Sequence, residues 1–313
     1  MEIIKSLNKK DYLDASILTI GSYDGLHMGH QKILKSVVDS SKMYKLPSVL
    51  VTFNPHPSQI VETKKNIKKK LIMSFEDKIA LIEKLGLDYV YLINFTQKFS
   101  KISAKSFLDD YLVPFFNPRK IFIGFDHHFG NKRQGNPKFL EKYCSKNYID
   151  LTINEPVSDN NIKISSSKIR SYIEKGEVDK ANTFLGSNFC FKSRVVKGSG
   201  RGSELGFPTA NILPVENNQL LPKNGVYFVK AMINGQYTIG MCNLGTRPTF
   251  NEVEFVIEVH FFNNNIESLY GIFLKVEFLK WIREEKKFSS PSELVVQLNI
   301  DKQLCLGFQG KYE

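Results

Sequence analysis

One short segment limits what this chain can fold into more than any other part of it. Ser16–Ile20 (SILTI) predicts a buried strand, and Gly29–Met43 has apolar residues at helical spacing. Residues 21–30 read GSYDGLHMGH. A glycine-containing turn that joins a strand to a helix is typical of an open α/β sheet, which binds ligands outside the carboxyl ends of its strands. The segment therefore predicts a fold and the place of a site within it.

The same alternation of strands and helices continues through the first half of the chain. Further strands are predicted at Ser48–Phe53, Tyr89–Phe95 and Lys120–Phe125, and further helices at Ser74–Leu85 and Ser103–Leu112. Strands that alternate with helices in this way indicate a parallel sheet covered by helices, which is a doubly wound, Rossmann-like α/β domain. We expect this domain to span residues 1–185.

The second half of the chain has a different pattern. Strands separated by turns rich in Gly, Asn and Pro are predicted at Phe189–Val196, Val226–Ile233, Gln236–Cys242, Phe255–Phe262 and Ile272–Phe278. A helical pattern is found only at Ser290–Leu306, with Pro291 at the first helical position. These residues, 186–313, predict an antiparallel β-barrel followed by a C-terminal helix.

Composition excludes several classes of protein. Hydrophobic residues make up 42% of the 313 residues and aromatic residues 12%, which is typical of folded domains and not of disordered chains. No apolar stretch is long enough to span a membrane, and the N-terminus lacks the apolar core of a signal peptide. The four cysteines are dispersed without a CxxC pair, which argues against a zinc site and indicates a reducing cytoplasm.

The net charge of +11 leaves the partner open when it is taken alone. Such an excess is compatible with nucleic acid, an acidic membrane surface or small polyphosphates. Most of it lies before residue 186, in the half that contains the glycine-rich turn.

The glycine-rich turn has the residues that phosphate chemistry needs. Gly21 and Gly25, with Asp24 between them, permit a tight turn and close approach of a ligand to the backbone. The helix N-terminus that follows offers unpaired N–H groups to an anion. His27 and His30, three residues apart, can both face that anion and stabilise the charge that builds up as a phosphoanhydride breaks. The alternative is a pair of capping or core histidines.

Three more segments in the first half lie where strands end or a helix begins. TFNPHP, residues 52–57, follows a strand and holds Asn54 and His56. GFDHHFG, residues 124–130, follows a later strand and contains Asp126. In ISSSKIR, residues 164–170, Ser165 and Ser166 offer hydroxyl and backbone donors to phosphate, and Arg170 adds a charged fork. The alternatives are a surface turn at His56 and an ordinary helix cap followed by a surface arginine.

The second half has a glycine-rich loop of its own. GSGRGSELGFPTAN, residues 198–211, contains Gly198, Gly200, Arg201 and Gly202, whose N–H groups can wrap phosphates, although such loops are more often simple turns. Thr209 and Asn211 point the same way if this segment is extended, and their side-chain oxygens suit Mg²⁺. The segment is not a Walker loop, because GxxxxGK[ST] is absent.

A predicted strand in the second half carries a candidate catalytic carboxylate. Glu258 and His260 alternate with apolar residues along FVIEVHF, residues 255–261, so Glu258 lies on the less apolar face. A solvated surface carboxylate is the simpler interpretation. A kinase that acts on a primary alcohol, however, needs such a group to accept the hydroxyl proton.

Taken together, the motifs resemble those of bacterial bifunctional riboflavin kinase/FAD synthetases. The segments around HxGH, TFNPHP, GFDHHFG and ISSSKIR are similar to the FMN adenylyltransferase module of that family. GFPTAN and NLGTRPTF, residues 243–250, are similar to its riboflavin kinase module. The resemblance covers essentially the whole chain, and no KMSKS-like element or tRNA-binding module suggests a tRNA ligase instead.

The resemblance implies two reactions that use ATP and Mg²⁺, riboflavin to FMN and then FMN to FAD, without nucleic acid or membrane partners. It implies that His27 and His30 act in adenylyl transfer, that Asn54, His56 and Asp126 lie on the flavin side, and that Glu258 is the base of the kinase. The oligomeric state is not indicated.

The sequence departs from the family pattern at several positions. His127 and His128 stand where the third motif usually has Phe and a basic residue, and Tyr23 stands where Phe is usual. Ser203 replaces a frequent Arg, and Asn263-Asn264 replaces a frequent Asp-Phe. An enzyme with one active module therefore stays open as an alternative.

Overall fold

The computed structural model describes residues 1–7, 12–61, 68–198, 200–248, 253–262 and 269–312. The chain divides into two compact units. The first unit consists of Met1–Lys70 and Phe75–Ser165, and the second consists of Leu71–Ser74 and Ser166–Glu313. Within the described ranges, every helix is too short or too polar to cross a bilayer.

The first unit is built on a six-stranded parallel sheet. Its strands are β1 (Glu2–Ile4), β2 (Ser16–Ile20), β3 (Ser48–Asn54), β4 (Tyr89–Asn94), β5 (Pro118–Gly124) and β6 (Asp150–Asn154). Their order is β1-β4-β3-β2-β5-β6, so the winding reverses between β2 and β5. Such a reversal opens a crevice at the carboxyl ends of the two strands. The predicted doubly wound α/β fold is confirmed.

Helices and a small hairpin complete the first unit. The helices are α1 (Met28–Tyr44), α2 (Pro57–Ile60), α3 (Phe75–Lys84), α4 (Ala104–Ser106), α5 (Val113–Phe116) and α6 (Pro137–Lys146), and the hairpin is β7 (Ser158–Asp159) and β8 (Ile162–Lys163). The longest helix, α1, buries Ile33, Leu34, Val37 and Val38, which are the apolar positions that predicted it. β2 is buried along its whole length, as its continuous apolar run requires in a central parallel strand.

The predicted helix at Ser103–Leu112 is only partly α-helical. After α4, residues Phe107–Leu112 form a π-helix, in which the N–H of Val113 bonds to the carbonyl of Leu108. Pro114 follows in α5. Because proline has no N–H and its ring clashes with the carbonyl four residues earlier, an ordinary α-helix cannot run through this position.

The second unit contains a closed antiparallel barrel, as predicted. Its strands are β9 (Phe189–Val196), β10 (Ala210–Pro214), β11 (Gly225–Ile233), β12 (Gln236–Pro248), β13 (Val253–Phe261) and β14 (Phe273–Arg283). They close in the order β10-β13-β12-β11-β14-β9. Strands β12 and β14 run beyond their predicted ends, because backbone pairing continues past Cys242 and Phe278. The short helix α9 (Arg201–Glu204) lies in the glycine-rich loop.

Three more helices belong to the second unit. They are α7 (Ser166–Glu174), α8 (Val178–Leu185) and the C-terminal α10 (Pro291–Phe308), which Ser290 caps. Gly176 joins α7 to α8 so close to β14 that a Cβ atom there would lie 2.4 Å from the Trp281 ring. The units therefore divide at Ser165/Ser166, because α7 packs on α8, and α8 packs on the barrel strands β14 and β9. The division into two functional modules, residues 1–185 and 186–313, stays a prediction.

Candidate functional site

The first unit has a cavity of about 320 Å³ at the point where the strand order reverses. Gly21 and Tyr23 line it from the end of β2, Asp126 and His127 line it beyond the end of β5, and His30 lines it from α1. The crevice that the topology predicts therefore exists, and His30 of the HxGH segment lines it, whereas His27 does not.

His27 and His30 form one unit at the start of α1. His27 is the N-cap, and its Nδ1 accepts the backbone N–H of His30 at 3.3 Å. The two rings stack with their centroids 3.6 Å apart. Burial lowers the pKa of His27 to about 4, and burial followed by the charges of His27 and Lys78 lowers that of His30 well below its usual value. Both imidazoles are therefore neutral at pH 7. His27 thus caps the helix, as the simpler interpretation expected, within the same arrangement that brings His30 to the cavity.

Tyr23 explains why residue 21 is a glycine. A Cβ atom at Gly21 would lie 2.6 Å from Cε2 of Tyr23, so the ring needs the space that glycine leaves. The Tyr23 hydroxyl is 2.6 Å from Oγ1 of Thr19, and the ring meets that of His30 edge-on, with centroids 4.9 Å apart. Gly25, by contrast, has a φ of +78°, which is the tight turn expected of it.

Lys78 belongs to this region, and the motif reasoning missed it. Its side chain is buried, and its Nζ donates to the Ser22 carbonyl and to Oγ1 of Thr52, each at 3.3 Å. The buried carboxylate of Asp24 favours its charged form, although burial lowers the pKa of Lys78 to about 8. Its position on the buried face of α3, four residues before Ile82, is the sequence signal that could have found it.

The remaining predicted residues of the first half are only partly brought together. Asp126 lines the cavity, whereas Asn54 is the exposed last residue of β3. His56 caps α2 by accepting the Ser58 N–H at 3.1 Å, so the structure gives it a capping role. Ser165 ends the first unit, and Ser166 and Arg170 lie in α7 of the second. The roles of these three in phosphate binding stay predictions.

A second cavity of about 450 Å³ shares a wall with the first. Phe53, Phe129 and Arg133 line both cavities, and Phe95, Phe99 and Phe107 line only the second. Aromatic walls with a cation at the junction suit a flat ring system that carries an anionic group. Local sequence patterns do not predict this cavity, because its aromatic residues come from separated segments.

In the second unit, three polar residues lie side by side on neighbouring strands. Glu258 of β13 is paired with Asn211 of β10 on one side and with Asn243 of β12 on the other. Directly paired residues project from the same face of a sheet. Glu258 and Asn243 line a cavity of about 370 Å³, together with Thr209, Arg201 and Gly202. The sequence analysis used the segment of Asn243 only for its similarity to a riboflavin kinase module and gave Asn243 no role.

The glycine-rich loop is packed closely around Thr209 and Asn211. A Cβ atom at Gly198 would lie 1.9 Å from Nδ2 of Asn211. One at Gly202 would lie 2.4 Å from the Phe207 carbonyl oxygen and 3.1 Å from Oγ1 of Thr209. Gly200 has a φ of +78° and needs glycine for its conformation. The loop is therefore fitted to these side chains and is more than a simple turn.

The donors around Glu258 fit Mg²⁺ better than a transition metal. In the described part of the chain there is no cluster of three or more His, Cys, Asp or Glu side chains that could hold a metal ion. A hydroxyl and an amide oxygen suit Mg²⁺, which takes few protein ligands and completes its shell with water and phosphate. Thr209 and Asn211 supply such oxygens inside a cradle that a Cβ at Gly198 or Gly202 would fill.

His260 has a structural contact in the same site. It is buried, and its Nδ1 lies 2.8 Å from the Pro208 carbonyl oxygen, to which it donates. This bond holds the GFPTAN segment against β13. Thr249, Phe250 and Asn263-Asn264 lie outside the described residues, so the end of NLGTRPTF and the departure after β13 stay untested.

The first unit has a crevice at the edge of a parallel sheet, beside an HxGH turn. The second unit has a barrel in which a carboxylate lies beside oxygen groups that suit Mg²⁺. Together these features define a class of phosphate-transferring enzymes. Family models agree with both halves: FAD synthetase matches residues 9–168, and riboflavin kinase matches residues 185–308. The chain belongs to the family of bifunctional riboflavin kinase/FMN adenylyltransferases.

Individual relatives cover nearly the whole chain. The bifunctional riboflavin kinase/FMN adenylyltransferase of Bacillus subtilis is 38% identical over 94% of this chain and 92% of its own. The enzyme of the same name from Escherichia coli K12 is 31% identical over 95% and 94%. A crystal structure from Streptococcus pneumoniae described as a macrolide-efflux protein is 30% identical, covers 97% of this chain and 98% of its own, and has a TM-score of 0.84. That structure has the same fold, and its description differs from the flavin-enzyme names on which both family models and the two relatives agree.

Proposed function

We propose that this chain phosphorylates riboflavin to FMN in its barrel and adenylylates FMN to FAD in its α/β unit, with ATP as the co-substrate of both reactions. The observation that carries the proposal is the presence of two separate, chemically different sites in one chain. One is the cavity beside His30, and the other is the row of Asn211, Glu258 and Asn243. Residues 1–185 and 186–313 are proposed as the two catalytic modules.

Adenylyl transfer needs no nucleophile from the protein. A phosphate oxygen of FMN attacks the α-phosphorus of ATP, and pyrophosphate leaves as the P–O bond breaks. His27 and His30 are neutral, so they act as N–H donors toward the phosphate oxygens and not as positive charges. The aromatic cavity next to this site suits the flavin ring, and Arg133 at the junction suits its phosphate.

Phosphorylation of riboflavin needs a base. The ribityl 5′-hydroxyl attacks the γ-phosphorus of ATP, Glu258 accepts the hydroxyl proton, and ADP leaves. Thr209 and Asn211 would hold Mg²⁺, which neutralises charge on the transferred phosphate when it is bound. Asn243, opposite Glu258, and the loop of Gly198, Gly200, Arg201 and Gly202 shape the surrounding site.

The proposal includes the cytoplasm as the compartment of the protein. ATP-dependent synthesis of a cofactor requires the ATP pool of the cell interior. The four cysteines, which are free in the structure, are compatible with a reducing environment.

The test is a product assay with the purified protein. Riboflavin, ATP and Mg²⁺ should give FMN first and FAD later when the flavins are separated by chromatography. Each half reaction is then measured alone, with FMN supplied for the second. Formation of neither product would contradict the proposal, and formation of only FMN or only FAD would support the alternative of one active module.

Two variants assign the reactions to their sites. His30→Ala should abolish FAD formation from supplied FMN and leave FMN formation unchanged, because His30 lies in the first unit. Glu258→Ala should have the opposite effect. If a folded variant lost both activities, the assignment of one reaction to each site would be wrong.

A further inference from the structure

A buried lysine lies behind the wall of the first cavity without lining it. Lys78, in the first turn of α3, is 7% exposed, and its Nζ donates to two oxygens at 3.3 Å. One is the backbone carbonyl of Ser22, in the loop between β2 and α1, and the other is Oγ1 of Thr52, near the end of β3. One ammonium group therefore joins the ends of two neighbouring strands.

Burial of the Lys78 ammonium group costs desolvation free energy. An apolar side chain would pack in the same space equally well. Removing an ammonium from water carries a desolvation penalty that its partners must offset. Here two neutral oxygens and the charge of the buried Asp24 do so, and burial still lowers the pKa of Lys78 to about 8. A methionine of similar length would fill the same space without this cost.

The place of the charge indicates what it does. Ser22 lines the cavity, and the loop that begins with it continues directly to His27 and His30. The charge of Lys78 is also close enough to His30 to lower the pKa of that imidazole. A fixed bond to the Ser22 carbonyl therefore holds the start of the proposed catalytic turn, and the charge adds to burial and to His27 in disfavouring a protonated His30.

We propose that Lys78 is a positioning residue for adenylyl transfer, which fixes the Ser22–His30 turn against the end of β3 and holds a positive charge behind His30. Lys78 acts through Ser22, Thr52 and His30 and does not touch the substrates. The inference rests on the proposed FMN adenylyltransferase activity of the first unit.

The first experiment compares Lys78→Met with Lys84→Met. Lys84 lies on the exposed side of the same helix, so its substitution removes the same charge without disturbing the site. Lys78→Met should lower kcat for FAD formation from FMN and ATP by about 100-fold, as misplacement of catalytic groups does, with smaller changes in KM. Lys84→Met should match the wild type. FMN formation by the barrel serves as an internal control for the amount of protein in both variants, and amide hydrogen exchange in β2 reports whether the first unit is folded.

The second experiment tests the charge by its pH dependence. Lys78 faces the carboxylate of Asp24, the imidazole of His30, the neutral Ser22 and Thr52, and the Phe75 ring on its own helix. Because its pKa is about 8, the ammonium is lost as pH rises through 8, and FAD formation by the wild type should fall there. An arginine at position 78 stays positively charged throughout this pH range. The rate of FAD formation by Lys78→Arg should therefore not fall above pH 8, whatever its absolute value.

The outcomes separate this inference from the proposed function. If the wild type forms no FAD from FMN and ATP, the proposed function fails. If Lys78→Met and Lys84→Met have the same kcat, only the positioning role fails. If Lys78→Met does not fold, the pH profile of Lys78→Arg decides: an alkaline fall identical to that of the wild type overturns the role of the charge.

Discussion

The rings of His27 and His30 stack nearly parallel, with 17° between their planes and 3.6 Å between their centroids. Two protonated imidazoles at this distance would repel each other strongly, and burial adds a further penalty for charge. The stack therefore requires at least one neutral ring, and the N-cap bond to His27 Nδ1 requires that nitrogen to be an acceptor. Capping and stacking use the same pair of side chains for which we propose a catalytic role, so the structural and functional interpretations of these histidines are compatible.

Acid should destabilise the first unit through its buried histidines. His27 and His127 have pKa values lowered to about 4, mainly by burial, against 6.5 in an unfolded chain. Between pH 6.5 and 4 the unfolded chain binds protons that the folded unit does not. The free energy of unfolding should therefore fall as pH decreases through this window, by about 1.4 kcal/mol per pH unit for each such histidine. Amide hydrogen exchange in β2 at several pH values would measure it.

A variant of His127 isolates one of these contributions. His127 stacks on Phe129, and its Nε2 is buried without a hydrogen-bond partner in the part of the chain that the structure describes. His127→Phe should therefore stabilise the unit at pH 5 more than at pH 7 and give a shallower pH dependence. His128→Phe, at the exposed neighbouring position, is the control. An equal slope for His127→Phe and the wild type would contradict the account.

Any side chain at position 202 should impair the kinase reaction. A Cβ atom there would lie 2.4 Å from the Phe207 carbonyl oxygen, which is backbone and cannot rotate away, so the GFPTAN segment must shift. Gly202→Ala should therefore reduce FMN formation by about 100-fold through misplacement of Thr209. FAD formation from supplied FMN should be unchanged.

The matched control for this variant is Gly307→Ala in α10. Nothing lies within 4 Å of the Cβ position of Gly307, and alanine favours a helix. Gly307→Ala should keep both activities. A Gly202→Ala protein with the wild-type rate of FMN formation would show that the loop moves freely and does not hold Thr209.

Local patterns were sufficient to predict most elements and both glycine-rich segments. SILTI predicted β2, the spacing of Ile33, Leu34, Val37 and Val38 predicted α1, and Phe189–Val196 was predicted to the residue. These elements are defined by burial on one face or two, which a single segment reveals. Other elements were missed, among them β1, β6 and α6, the π-helical turn before Pro114 and the short strand β10. The last two depend on a proline and on partner strands, which a local pattern does not show.

The sites were harder to predict where they are formed by residues that are distant in the sequence but in contact in the structure. The pairing of Glu258 with Asn243 depends on the register of β12 and β13, which no local pattern gives. Lys78 lies 26 residues from Thr52 and carries no motif, so only the three-dimensional structure shows what its charge contacts. The sequence also does not show that α7 belongs to the second unit, because this depends on packing between distant segments.

Removal of one partner from a buried ion pair that lines the kinase cavity should destabilise the second unit. Asp301 of α10 is fully buried and accepts from Nε and Nη2 of Arg283 at the end of β14, with a shortest distance of 2.7 Å, and from Gln297 at 2.9 Å. The bonds tie the C-terminal helix to the barrel, so removal of the carboxylate leaves a partly buried guanidinium without its partner.

Asp301→Ala should lower the free energy of unfolding by about 3–5 kcal/mol, because one partner of a buried pair is left uncompensated. Trp281, the only tryptophan of the chain, lies two residues before Arg283 and reports unfolding of this unit by its fluorescence in urea. Asn299→Ala, on the exposed side of α10, should change stability little. The double variant Asp301→Leu/Arg283→Met should recover much of the loss, since it removes both charges. If the double variant were as unstable as Asp301→Ala, the loss would come from packing and not from the unpaired guanidinium.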